Sequence, residues 1–168
     1  MTMNRRMLVL GAMGAALAAC GRPQPTRFKR YDGPKVTRVQ VFKARRKLQI
    51  FSANVMLKEY DMELGFAPTG HKAVEGDGRT PEGAYRIDRR NPNSSFHLSI
   101  GISYPNANDI ARAAAMGQRP GGDIFIHGTP ARQMGKSDWT YGCIAVTNDE
   151  MEDIYAMVPD GTPIYIYP

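Results

Sequence analysis

Residues 123–148 read Asp-Ile-Phe-Ile-His-Gly-Thr-Pro-Ala-Arg-Gln-Met-Gly-Lys-Ser-Asp-Trp-Thr-Tyr-Gly-Cys-Ile-Ala-Val-Thr-Asn. Two short apolar runs, 123–127 and 143–146, bracket a Gly- and Lys-containing loop, the pattern of two strands with an irregular connection. The first run closes on His127 and the second opens on Cys143, sixteen residues later. Laid side by side, such strands bring an imidazole to a thiol. A thiol attacks as its thiolate, and a free cysteine of pKa ~8.5 is only a few per cent ionised near neutrality, so a base is needed to accept its proton. His127 is the nearest candidate. Gly142 leaves room for a substrate, and the backbone N–H groups of Tyr141, Gly142 and Cys143 are expected to face a developing oxyanion. Two groups compete to orient His127: the backbone carbonyl of Gly128, or a side chain such as Asp138.

Outward from this stretch, strands dominate. Apolar alternation or short apolar runs predict strands at 36–42, 48–51, 55–57, 62–66, 84–87, 96–102, 123–127, 143–146 and 163–167. Two helices are predicted. One covers the Ala-rich 109–116 and ends at Gly117; the other presents Met151, Ile154, Tyr155 and Val158 at i, i+3, i+4, i+7 spacing. Thr147 and Glu150 have capping-box spacing, and Pro159 follows the end of that helix. The basic run 43–47 lies between two strand patterns and reads as a solvated hairpin turn. The reading is a mostly β, sandwich-like domain with two or three short helices, spanning 35–168.

The N-terminus reads differently. Asn4-Arg5-Arg6 precedes an uncharged stretch of 13 residues, 7–19, too short for a spanning helix and typical of a secretory signal. Leu17-Ala18-Ala19-Cys20-Gly21 resembles the bacterial lipobox, which implies cleavage after residue 19, lipidation of Cys20 and a membrane anchor. Ordinary signal-peptidase cleavage is the competing reading. Gly21 stands where an aspartate would favour inner-membrane retention, so the expected address is periplasm-facing and outer-membrane. The Pro-, Arg- and Gly-rich segment 20–34 reads as a tether.

With Cys20 lipidated, Cys143 is a lone thiol in an oxidising compartment. It is either a buried small hydrophobe or a nucleophile. Two cysteines and three scattered histidines, His71, His97 and His127, assemble no structural zinc pattern, and no metal or cofactor is expected. Of 22 Lys and Arg residues, two (Arg5 and Arg6) lie in the leader, leaving 20 against 16 acidic residues, a net of +4. That modest excess suits an anionic wall polymer or headgroup surface, and export argues against nucleic acid.

The string Ile126-His127-Gly128-Thr129, the run Thr140-Tyr141-Gly142-Cys143-Ile144 and the earlier Gly-Asp-Gly-Arg-Thr-Pro-Glu-Gly-Ala-Tyr-Arg-Ile (76–87) together resemble the L,D-transpeptidase catalytic domain, or YkuD domain. Residues 91–105 and 138–148 resemble its YafK-like branch more closely. The resemblance covers 35–168. It implies peptidoglycan chemistry at the third residue of the stem peptide: Cys143 attacks the diamino-acid carbonyl, a thioester forms, and D-alanine leaves protonated by His127. A side-chain amine of another stem as acceptor gives a cross-link, a protein lysine gives a wall anchor, and water gives hydrolysis, including release of a wall-attached lipoprotein. Thr140, Trp139 and His71 are the expected substrate contacts.

Two positions depart from the family pattern. Tyr141 stands where many members have His, and Ala145 stands where many have Arg. Arg86, Arg89, Arg90 and Arg132 are possible replacements for a carboxylate-binding arginine. Gly76-Asp77-Gly78 lacks the lysine and following helix of a phosphate loop and reads as a tight turn. His97 reads as a hydrogen-bonded packing residue. Three functions remain open: a cysteine transpeptidase, a hydrolase of the same bonds, and a lipid-anchored wall binder with an inert thiol.

Overall fold

The computed structural model describes residues 26–168, so the leader and Cys20 lie outside the described residues. Alternation builds the first half of the domain. Strand β1 (Arg38–Phe42) buries Val39 and Val41, and its antiparallel neighbour β2 (Lys47–Ser52) buries Leu48 and Ile50, every second residue in each case. Strand β3 (Val55–Asp61) continues the meander. The last strand, β8 (Pro163–Tyr167), pairs parallel to β1 and antiparallel to the first part of β4 (Gly83–Asn91). The second part of β4 pairs with β5 (Ser99–Ile102), which pairs with β6 (Phe125–His127), which runs parallel to β7 (Ile144–Ala145). One eight-stranded sheet results, in the order β3-β2-β1-β8-β4-β5-β6-β7. The expected mostly β fold is therefore a single curled sheet.

The two ends of that sheet meet. Beyond β3, Glu63 exchanges both backbone hydrogen bonds with Ala145 of β7, at 2.8 and 2.9 Å, and Leu64 O and Phe66 N bond to Thr140, both at 3.0 Å. The stretch 62–66, expected as a strand, is thus two isolated bridges that span the gap between the ends of the sheet. Leu64, Ile87, Leu98, Ile100, Ile126 and Ile144 are all fully buried in the resulting core.

Helix α1 (Ala107–Ala115) begins two residues earlier than expected because Asn106 and Asp109 form the capping box. Helix α2 (Asn148–Met157) is capped by Thr147 and Glu150 as read, and seats Met151, Ile154 and Met157 in the core. The expected strand 96–102 starts only at Ser99 because His97 sits at φ +73°; 123–127 starts at Phe125 because Asp123 sits at φ +54°. The turn 43–46 differs from a fully solvated one. Lys43 is only 2% exposed, and its ammonium donates to the carbonyls of Gly70 and Thr80 and pairs with Glu82 at 2.7 Å. An ammonium that deep persists only when paired, and burial still pulls its pKa down, against the opposing effect of Glu82. Residues 26–34 hold no helix or strand, yet Lys29 reaches α2 and pairs with Asp149 at 2.7 Å and Asp153 at 2.8 Å.

Truncating Ile126→Ala, at the centre of the β5-β6-β7 ladder, is expected to cost about 2–5 kcal/mol. Urea unfolding of the soluble domain reads this, and a loss under about 0.5 kcal/mol would contradict the packing described.

Candidate active site

The register of β6 and β7 sets the site. Ile126 is paired with Ile144, and both are fully buried on the α2 side of the sheet. Alternation turns Phe125, His127 and Cys143 to the other face. There His127 and Cys143 line one cleft of about 280 Å³ with Asn91, Phe96, Ser99 and Asp123.

His127 Nδ1 lies 2.8 Å from Gly128 O. A carbonyl only accepts, so Nδ1 carries the proton and Nε2 is left as the basic nitrogen. Phe96 stacks on the imidazole with centroids 4.5 Å apart, and Trp139 packs against it at 5.6 Å. The ring is 3% exposed, and this burial lowers its pKa, offset in part by the Gly128 bond. Burial raises the pKa of the Cys143 thiol, with the Phe125 backbone, Lys72 and Arg89 pulling the other way. The thiol lies 3.5 Å from Asp123 O. Burial thus disfavours the charged form of both groups, the thiolate and the imidazolium.

The loop that leads into Cys143 is held by two threonines. Thr80, fully buried, donates to Gly142 O at 2.9 Å; Thr140, 3% exposed, donates to Cys143 O at 2.7 Å and accepts from Gly142 N at 3.2 Å. Gly142 sits at φ +120°, and a Cβ there would lie 2.5 Å from Arg79 O. Only glycine fits. These contacts revise three expectations. The Gly142 N–H is spent on Thr140, which leaves the Tyr141 and Cys143 N–H groups as the unengaged donors of the loop among the described residues. Thr140 is an internal brace of the loop, since its hydroxyl is already used inside the protein. His71 packs away from the cleft: its Nδ1 accepts from Glu82 N at 3.0 Å, and Nε2 faces Asp109 Oδ1 at 3.1 Å.

Trp139 backs His127 and lines a neighbouring cavity of about 390 Å³ with Met62, Thr129 and Ala145. Tyr141 is 79% exposed and meets Phe66 edge-on. Asp138 pairs with Arg46 at 2.7 Å and accepts from Leu64 N, so it is committed elsewhere and Gly128 is the group that holds His127. His97 Nε2 lies 2.8 Å from Glu152, as a packing residue would. Thr80 was missed as a site residue because its partner lies 62 positions away.

The model of the L,D-transpeptidase catalytic domain, YkuD, matches residues 36–166. The chain belongs to this family. Among solved structures it is similar to the helical cell shape determining protein Pgp2 (K307A mutant) from Campylobacter jejuni, with TM-score 0.61 and 26% identity over 82% of this chain and 48% of that one. It is also similar to Bd1075 of Bdellovibrio bacteriovorus, with TM-score 0.59 and 27% identity over 80% of this chain and 48% of that one. An L,D-transpeptidase from Mycobacterium smegmatis shares the fold at TM-score 0.55 and 14% identity, over 81% of this chain and 60% of that one. The chain spans about half the length of the first two. No curated protein matches it.

Within this YkuD domain the four arginines separate. Arg86 donates to Gly161 O, and Arg90 donates to Val158 O and Tyr155 O at the end of α2, stacked over the Tyr155 ring. Arg132 is exposed on the short 3-10 turn Ala131–Gln133. Arg89 alone of the four touches cleft residues, reaching Asp123 at 3.2 Å and the Phe125 ring at 4.4 Å.

Replacing Thr80→Val removes the donor to a buried carbonyl and is expected to cost about 1–3 kcal/mol. It should also slow thiol acylation, with Thr80→Ser restoring both; equal reactivity of the valine variant and the wild type would rule out the brace. Because burial raises the thiol's pKa, the rate of iodoacetamide labelling of Cys143 should rise through a midpoint above the ordinary ~8.5. A midpoint near or below neutrality would show a resting thiolate–imidazolium pair instead.

Proposed function

We propose that this domain is a peptidoglycan-modifying cysteine acyltransferase. The observation that carries the reading is the shared cleft of Cys143 and His127, with Nδ1 of the imidazole fixed by Gly128 O and its second nitrogen left basic. Nε2 takes the thiol proton as Sγ attacks the carbonyl of the stem peptide's diamino acid. The C–O π pair moves to oxygen, where the N–H groups of Tyr141 and Cys143 receive it. The pair returns, the C–N bond to D-alanine breaks, and the leaving amine takes the proton held on Nε2. A thioester remains on Cys143. An acceptor amine then attacks, giving its proton to Nε2, and the thiol is regenerated as the C–S bond breaks.

Membership of the YkuD family supports the substrate class. The likeness to a cell shape determining protein supports a part in shaping the wall. The sequence of residues 1–20 supports export and tethering through lipidated Cys20, with the domain facing the periplasm from the outer membrane.

The test is intact-protein mass spectrometry of the soluble domain after incubation with a tetrapeptide stem. A covalent adduct equal to the stem less D-alanine is expected, absent in Cys143→Ala. His127→Gln should slow adduct formation by roughly 10²–10⁴-fold, the usual worth of a positioned general base. Adduct resolved by a second stem gives cross-linked dimers and supports the acyltransferase. Adduct resolved only by water would make the domain a hydrolase, and no adduct at all would make the thiol inert.

A further inference from the structure

The row of residues that crosses β4, β5 and β6 at the cleft has an unusual composition. In register it reads Arg89, Gly101, Phe125. A shift in the β4-β5 pairing between Ile87 and Arg89 leaves Asp88 as the extra residue, and such bulges re-aim the side chains that follow them. Gly101 supplies the gap. A Cβ at that position would lie 2.5 Å from Arg89 Cγ and 2.8 Å from Arg89 Cζ. The arginine therefore lies flat across the middle strand, with its guanidinium 4.4 Å from the centroid of the Phe125 ring. Phe125 and Asp123 both line the cleft that holds Cys143.

The partners of this guanidinium are unequal. Asp88 takes Nη1 with both oxygens, at 2.8 and 2.9 Å. Asp123 takes Nη2 through one oxygen at 3.2 Å, and its side chain is 92% exposed. An exposed single contact of that kind is worth little and exchanges readily. Asp123 stands at the cleft mouth as a counterion that another carboxylate can replace.

We propose that Arg89 is the residue that recognises a carboxylate of the peptide entering the Cys143 cleft, with Asp123 as the counterion it displaces. Planar guanidinium is suited to this, because it offers donors in a fixed fork to a carboxylate while its face stays on the aromatic ring. The inference rests on the acyltransferase reading for the identity of the peptide. The carboxylate belongs either to the C-terminal residue of the stem or to the side chain of the diamino acid.

Two measurements on the soluble domain test it. The first compares labelling of Cys143 by iodoacetate and by iodoacetamide, which differ in charge and share one chemistry. Arg89→Gln should lower the iodoacetate-to-iodoacetamide rate ratio about twofold to fivefold, the scale of an exposed charge contact. Asp123→Asn, which tolerates the same positive φ, should raise it. An unchanged ratio in both variants overturns the proposal whether or not the domain transfers acyl groups. The second compares adduct formation from stems amidated at one carboxylate or the other. A KM penalty for one amide that vanishes in Arg89→Gln supports the proposal and identifies the source. Penalties that persist in Arg89→Gln, or none, overturn it as substrate recognition. Loss of all adduct formation with an Arg89-dependent labelling ratio would instead count against the acyltransferase reading alone.

Discussion

The paired hydrogen bonds between Glu63 and Ala145 are the constraint on which the site depends. A curled sheet has two free edges, and each exposes backbone donors and acceptors that need partners. Here the β7 edge is covered by residues 63–66, the segment that follows β3. That closure falls beside Cys143: Thr140 is tied to Leu64 and Phe66 on one side of it, and Ala145 to Glu63 on the other. Even the gap is filled by backbone, since a Cβ on Gly65 would lie 1.9 Å from Gly78 O and 2.7 Å from Gly142 N. Strand β7 has only two residues, yet Cys143 just before it is held in position because the chain is anchored on both flanks.

Burial then sets the chemistry. Burial of the imidazole and partial burial of the thiol disfavour both charged forms, pushing the thiol's pKa up and the imidazole's down. Backbone supplies the remaining electrostatics, through Gly128 O on the imidazole and the unengaged N–H groups of Tyr141 and Cys143. The threonine hydroxyls of Thr80 and Thr140 hold the carbonyls of Gly142 and Cys143. Rigid donors that do not reorganise during reaction are the economical way to stabilise a transient oxyanion.

Much of this was legible in the sequence where the signal is local. The capping box of Thr147 and Glu150, the buried stripe of α2, the alternation of β1 and β2 and the pairing of His127 with Gly128 all involve residues within a few positions of each other. Expectations failed where the deciding partner is distant. Residues 62–66 alternate like a strand, yet they find only two bridging partners at the seam. Lys43 looks like a solvated turn cation until Gly70, Thr80 and Glu82 close around it. His71 and Thr140 have the chemistry of substrate contacts, and both spend it on neighbours inside the protein.

The sequence by itself determined the helices and most strands, the candidate pair His127 and Cys143, and the family, because periodicity, caps and the spacing of those two residues are properties of nearby residues. Tertiary structure alone decided which backbone donors remain free beside the thiol and which of four arginines reaches the cleft. Those choices depend on sheet register, on a bulge in β4 and on the space above Gly101. Each is set by strands brought together from 89, 101 and 125, and a one-residue slip between them would turn every side chain to the opposite face.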